Sequence, residues 1–134
     1  MMEKVIIDAA NAPLGRTSSY AAKQALRGNT VIVVNCNDAL ITGNKGTTIA
    51  EYTASRQRGK GNFRGPFFPK VSEKLAKRTI RGMLPHMQKR GVDALRRVRC
   101  YNETPKEYES AKKISMTKDL KVKTIKLSEL AKAI

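Results

Sequence analysis

The chain has 134 residues, of which 40% are hydrophobic, enough for one domain with a buried core and too many for a disordered tail. It has 27 Lys and Arg but only 11 Asp and Glu, which gives a net charge of +16. A charge of this size predicts a polyanionic partner such as nucleic acid or an anionic membrane surface. No segment approaches the roughly 20 apolar residues of a membrane span, and the N-terminus lacks the features of a signal peptide, so we expect no membrane partner.

The first third of the chain predicts a βαβ unit. A β-branched run at residues 5–7 predicts a short strand that ends at Asp8, and Pro13 suits the first position of a helix that Gly28 stops. The continuous apolar run at residues 30–34 is typical of a strand buried on both faces of a parallel sheet. We therefore expect a right-handed crossover and treat residues 1–55 as the scaffold.

The following residues are harder to assign. Residues 37–41 favour one helical turn, residues 42–46 a tight loop, and residues 47–57 leave helix and strand both open. Residues 58–70 hold three glycines, two prolines and all three phenylalanines, which excludes a regular element. We expect the basic segment from Arg56 to Lys70 to be mobile in the free protein and to become ordered on RNA.

Residues 71–84 predict a helix with two distinct faces. Four cationic residues share one face at helical spacing, with only Glu73 nearby to pair with them, so we expect an external anion to compensate their charge. The predicted apolar face comprises Ala76, Ile80, Met83 and Leu84. The predicted basic face comprises Lys74, Lys77, Arg78 and Arg81.

The remaining elements are shorter. Residues 91–97 predict a short helix, and residues 98–101 a last strand. Ser128 is a suitable cap for a terminal helix that ends at Ile134.

The positive charge is concentrated in the middle of the chain. Residues 56–100 carry 14 basic and two acidic residues, a net charge of +12, against +1 for residues 1–55 and +3 for residues 101–134. Nine of the 11 arginines lie in this middle segment. Arginine grips phosphate through a planar fork and also stacks on bases, so the segment predicts an RNA contact surface.

The motifs of nucleotide-binding enzymes are missing. The turn after the first strand has one glycine instead of G-x-G-x-x-G, and Gly43-Asn-Lys-Gly46 does not match a P-loop. For Asp8 and Asp38 a cap or turn is favoured over catalysis, and for His86 a phosphate or backbone hydrogen bond is favoured. We therefore expect no catalytic residues, no cofactor and no small-molecule substrate.

Two cysteines, Cys36 and Cys100, lie far apart in the sequence and in no C-x-x-C motif. We expect both to be buried, reduced thiols and expect no zinc or other metal site.

The candidate RNA-binding residues combine the middle segment with two cations near the predicted strand ends. Aromatic rings, glycines and cations together favour contact with phosphates and unstacked bases, although packing on the domain's own core is an equally open role for the phenylalanines. The predicted set is Arg16, Lys45, Arg56, Arg58, Lys60, Arg64, Lys70, Lys74, Lys77, Arg78, Arg81, His86, Lys89, Arg90, Arg96 and Arg97.

Several motifs resemble a known family. They are Ile7-Asp8-Ala9 with Leu14-Gly15-Arg16, the strand Val31-Ile32-Val33-Val34-Asn35, Ile41-Thr42-Gly43-Asn44-Lys45, Gly65-Pro66-Phe67-Phe68, and the specific run from Arg78 through Gly82-Met83-Leu84-Pro85 to His86. Over residues 5–105 the chain resembles the universal large-subunit ribosomal protein number thirteen in its archaeal form. Val92, Cys100 and Glu103 depart from the family pattern.

The resemblance implies an α/β fold: a three-layer α/β/α domain on a four-stranded, mainly parallel sheet, with a basic irregular loop. It also implies a cytoplasmic, ribosome-associated structural protein that contacts large-subunit ribosomal RNA and neighbouring ribosomal proteins. We expect a single domain over residues 1–134, with residues 56–100 facing RNA and residues 101–134 as an extension. The alternatives are a nucleotide-binding or RNA-modifying enzyme on the same scaffold and a free regulator that binds messenger RNA.

Overall fold

The computed structural model describes residues 3–57, 71–117 and 121–133, and for residues 55–57 the backbone alone. The basic irregular loop predicted at residues 58–70 lies outside the described residues. No helix within the described ranges is long and apolar enough to cross a membrane.

The predicted βαβ unit is confirmed. Strand β1 (Lys4–Asp8), helix α1 (Leu14–Leu26) and strand β2 (Thr30–Val34) follow in order, and β1 and β2 pair in parallel with Val5 opposite Val31. Pro13 precedes the first helical residue as its N-cap, and Gly28 follows the helix with a φ of +96°, a conformation that glycine adopts without strain.

The next segment corrects one prediction. A 3-10 turn (Cys36–Asp38) is followed by strand β3 (Leu40–Thr42), so the helical turn predicted for residues 37–41 is wrong at Leu40 and Ile41. These two residues pair with a strand from the end of the chain, a partner that the local pattern does not reveal. Residues 47–57, for which the sequence leaves helix and strand both open, are helical and belong to helix α2 (Lys45–Gln57).

Helices α3 (Ser72–Gly82) and α4 (Lys89–Arg96) lead to strand β4 (Val98–Cys100). Helix α3 ends before Met83, whose side chain is 43% exposed, so its assignment to the apolar face is wrong. Leu75 is buried instead, together with Ala76 and Ile80.

Four further elements complete the described chain. They are a second 3-10 turn (Lys106–Tyr108), strands β5 (Ile114–Ser115) and β6 (Thr124–Lys126), and helix α5 (Leu127–Ala133). Strand β4 is therefore not the last strand. Ser128 does not cap α5, because the helix continues directly from β6 and begins at Leu127, a fully buried residue.

The main sheet has the order β4-β2-β1-β5, and all its pairs are parallel. Alternate residues of β1 and β2 point to opposite faces. Ile7, Val31 and Val33 pack against the helices in the larger core, whereas Ile6, Ile32 and Val34 form a smaller cluster with Tyr101, Tyr108 and Ala111. The four-stranded parallel sheet flanked by helices confirms the predicted α/β class and is consistent with three layers.

The assignment of residues 1–134 to one domain with three segments stays a prediction.

Candidate nucleic-acid interface

The cationic face of α3 lines a surface cleft. Helix α3, the end of α4 and strand β4 enclose a cavity of about 590 Å³, which we call the basic cleft. Its lining residues are Glu73, Lys74, Lys77, Arg78, Arg81, Leu95, Arg99, Cys100 and Tyr101. The helical spacing of the four predicted cations therefore does bring them together on one surface.

The opposite face of α3 holds the helix against the core. Leu75, Ala76 and Ile80 are each at most 2% exposed. At the N-terminus of the helix, the backbone N–H of Glu73 donates to Oδ1 of Asn102 at 2.8 Å. Because Asn102 follows β4 closely, this bond ties α3 to the strand on the other side of the cleft.

The side chains that line the basic cleft carry mainly positive charge. Five of its lining residues are cationic, and Glu73 is the one carboxylate among them. Lys74 and Arg81 are exposed, while Lys77 and Arg78 are half-buried. Clustered like charges repel one another, and a bound anion relieves that repulsion. Leu95 and Cys100 add apolar surface to the same cleft.

Arg99 belongs to the basic cleft but is absent from the predicted set. It lies on β4 between buried Val98 and half-buried Cys100, and its own side chain is exposed. The alternation of these three residues is the signal that could have identified it.

The other predicted residues that the structure describes lie outside the basic cleft. Arg16 lines a separate cavity of about 450 Å³ together with Tyr52 and Thr79. Lys45 is the exposed first residue of α2. Lys89, Arg90 and Arg96 are exposed on α4.

Arg97 and His86 contact backbone carbonyl oxygens of the protein. Arg97 donates from a terminal guanidinium nitrogen to the carbonyl oxygen of Ala25 at 2.8 Å, at the C-terminal end of α1. A cation at this position also complements the helix dipole, so Arg97 serves the fold. For His86, Nδ1 lies 3.4 Å from the carbonyl oxygen of Leu84, a backbone contact of the kind expected from the sequence.

The predicted residues of the irregular segment are not described. Arg58, Lys60, Arg64 and Lys70 lie outside the described residues, and the side chain of Arg56 does as well. Their assignment to RNA stays a prediction.

The carboxyl ends of β1 and β2, where an enzyme of this architecture would place its site, hold a hydrogen-bonded turn. Oδ1 of Asp8 accepts from the backbone N–H of Ala10 at 3.0 Å and from the Asn35 amide at 2.9 Å. Oδ1 of Asn35 in turn accepts from the Thr104 hydroxyl at 3.0 Å. These partners give Asp8 the turn role that we expected.

Asp38 has a partner of its own. Its Oδ1 lies 3.9 Å from Nζ of Lys126 on β6, in an exposed ion pair. Across the ranges that the structure covers, no group of three or more His, Cys, Asp and Glu could hold a metal ion.

The two cysteines lie next to each other, which their sequence separation did not predict. Cys36 is fully buried, but Cys100 is only half-buried, so its expected burial is wrong. A hydrogen-bonding interaction with the Cys100 thiol, followed by burial, raises the pKa of Cys36 far above its ordinary value.

Comparison with known proteins gives a consistent result. The family described as "Ribosomal protein L13" matches residues 2–107. The chain is 44% identical over 112 residues to the large ribosomal subunit protein uL13 of Methanosarcina barkeri, which covers 83% of this chain and 79% of that protein. It is 38% identical over 133 residues to uL13 of Thermoplasma volcanium, with 96% of each chain covered. Against uL13 of Methanocaldococcus jannaschii it is 40% identical over 130 residues, covering 95% and 94%.

Proposed function

Because the chain belongs to the ribosomal protein L13 family, we propose that it is a structural constituent of the large ribosomal subunit and binds large-subunit ribosomal RNA. The relatives named above are archaeal uL13 proteins, as the resemblance in the sequence implied. The protein is accordingly ribosome-associated and cytoplasmic, and it acts in translation.

The basic cleft is the observation that carries the RNA-binding mechanism. Five cationic side chains converge on it from α3 and β4. Arginine and lysine in such a cluster neutralise phosphates and release the counterions that surround RNA. Since α3 is fixed by its buried face and by Asn102, the cations are presented on a rigid element, which limits the entropy lost on binding.

We expect most of the remaining predicted residues to add phosphate contacts. They are Arg16, Lys45, His86, Lys89, Arg90 and Arg96, together with the cations of residues 56–70. Neighbouring large-subunit proteins are the expected protein partners.

The enzymatic alternative has less support. Family membership implies a structural role. The polar groups at the carboxyl ends of β1 and β2 also bond to one another, so Oδ1 of Asp8 and the side-chain amide of Asn35 are engaged in a turn. Isothermal calorimetry with ATP and with NAD tests this alternative: we expect no saturable binding, and micromolar one-to-one binding that survives moderate salt would revive it.

A pair of matched double variants tests the RNA mechanism. Lys74→Glu with Arg81→Glu reverses two exposed cations of the basic cleft, and Lys112→Glu with Lys132→Glu reverses two exposed lysines elsewhere. Both variants change the net charge by the same amount. We expect the first to weaken binding to purified large-subunit RNA on the order of a hundredfold and to reduce its incorporation into large subunits, and the second to change binding much less.

Circular dichroism and thermal unfolding provide the folding control for both variants. If a folded Lys74→Glu/Arg81→Glu protein binds RNA and enters subunits as the wild type does, the basic cleft is not the contact surface. An equal loss in both variants would mean that net charge alone governs binding.

A further inference from the structure

The fold brings the two cysteines together through backbone pairing. Strands β2 and β4 pair in parallel with Val33 opposite Cys100. Beyond this pair, the N–H of Tyr101 donates to the carbonyl of Val33 at 2.8 Å, and the N–H of Cys36 donates to the carbonyl of Tyr101 at 3.1 Å. The chain segments that carry the two thiols are therefore fixed side by side.

The two thiols differ in their access to solvent. Cys36 is fully buried, and its Sγ lies 3.9 Å from the carbonyl oxygen of Val33. Cys100 is half-buried and lines the basic cleft. A small oxidant can consequently reach Cys100 through the cleft, whereas Cys36 is shielded from it by burial.

We propose that Cys36 and Cys100 are a redox-active dithiol that forms an intrachain disulfide when the RNA-free protein meets a peroxide. The sulfur of Cys100 attacks one peroxide oxygen, the O–O bond breaks, and one water leaves, which converts Cys100 to a sulfenic acid. The sulfur of Cys36 then attacks the sulfur of Cys100, the S–O bond breaks, and the departing oxygen leaves as a second water with the Cys36 proton. The two sulfurs lose two electrons in total, and hydrogen peroxide is reduced to two molecules of water.

Burial of Cys36 disfavours the loss of its proton, which the thiol must lose before it attacks, so burial slows the second step. The sulfenic acid on Cys100 can therefore be trapped before the disulfide forms.

The disulfide would join the 3-10 turn after β2 to the edge strand β4 beneath the basic cleft. It closes a long loop of the chain, so it restricts the unfolded state and stabilises the folded one. RNA bound in the cleft would cover Cys100 and prevent the reaction, and this part of the inference rests on the proposed function. The formation of the cross-link in the RNA-free protein does not depend on it.

The experiment uses the full chain, first reduced and then exposed to hydrogen peroxide without RNA. We expect the intact mass to fall by two hydrogen atoms, and non-reducing peptide mapping to recover a peptide pair that joins Cys36 to Cys100. Reduction with dithiothreitol should reverse both changes, and the oxidised protein should unfold at a higher temperature than the reduced protein. Dimedone, which traps sulfenic acids, should label Cys100 and lower the yield of the cross-link.

Two variants separate the roles of the thiols. In Cys36→Ser, Cys100 should still be labelled by dimedone but should form no intrachain bond; in Cys100→Ser, the remaining Cys36 should stay unlabelled while the protein is folded. Disulfide-linked dimers through Cys100, or over-oxidation of Cys100 without a cross-link to Cys36 in the wild type, would overturn the proposal. Because these outcomes are measured without RNA, they leave the test of RNA binding independent.

Discussion

Gly91 lies in the first turn of α4, against the backbone of the preceding turn. A methyl group at this position would overlap the carbonyl oxygen of Pro85 and crowd the nitrogen of His86. Neither contact is with a flexible side chain, so the backbone itself would have to move. We expect Gly91→Ala to lower the free energy of unfolding by about 3 kcal/mol.

Gly15 provides the matched control for this prediction. It lies in α1, and a methyl group there would meet nothing within 4 Å. Gly15→Ala should be neutral or stabilise the protein by up to about 1 kcal/mol, because alanine favours the helix. Urea denaturation of both variants measures the difference, and equal stabilities would show that α4 is not packed this closely on Pro85.

Thr17 carries a buried hydroxyl whose Oγ1 has no hydrogen-bond partner among the described residues. Burying such a group costs free energy that a methyl group of the same size does not. Thr17→Val should therefore raise the free energy of unfolding by about 1 kcal/mol, measured by urea denaturation. A loss of stability would mean that the hydroxyl is bonded in solution.

Single residues mark the limit of what the sequence could predict. The helical spacing of Lys74, Lys77, Arg78 and Arg81 was sufficient to place them on one face, because a helix repeats regularly. The meeting of Cys36 with Cys100 depends on the pairing of β2 with β4, which no local pattern encodes. The same long-range pairing brings Arg99 into the basic cleft.

At the scale of elements, the reactivity of Cys100 can show whether RNA occupies the basic cleft. Cys100 lines it, while Cys36 is buried behind, so alkylation of the reduced, folded protein by iodoacetamide should occur at Cys100. Large-subunit RNA should slow this reaction at least about tenfold if it fills the cleft, as mass spectrometry of the Cys100 peptide would measure. An unchanged rate in the RNA complex would place the RNA elsewhere on the protein.

The elements themselves were predicted well where they are local and less well where they are not. The unit β1-α1-β2 follows from apolar patterns and from Pro13 and Gly28, which act within a few residues. The local pattern of residues 37–41 predicts a helical turn and does not reveal strand β3, because the partner strand β6 lies at the far end of the chain. The two-residue strand β5 is likewise too short to leave a pattern and depends on its pairing with β1.

For the whole molecule, the charge of +16 should make RNA binding steeply dependent on salt. If about six phosphates are engaged, affinity should fall on the order of a thousandfold between low and moderate salt, because each phosphate contact releases counterions. Filter binding or fluorescence anisotropy over a salt series gives the slope of log affinity against log salt. A nearly flat plot would contradict an interface built mainly on phosphate neutralisation.

The strand order also determines when the fold can be completed during synthesis. The central strands β1 and β2 leave the exit tunnel early. The strands on either side of them are synthesised much later, since β4 begins at residue 98 and β5 at residue 114. The residues that cover Ile6, Ile32 and Val34, including Tyr101 and Tyr108, arrive equally late. A nascent chain that stops short of these residues therefore exposes one apolar face and two open strand edges, which are the features that nascent-chain chaperones bind and that drive aggregation.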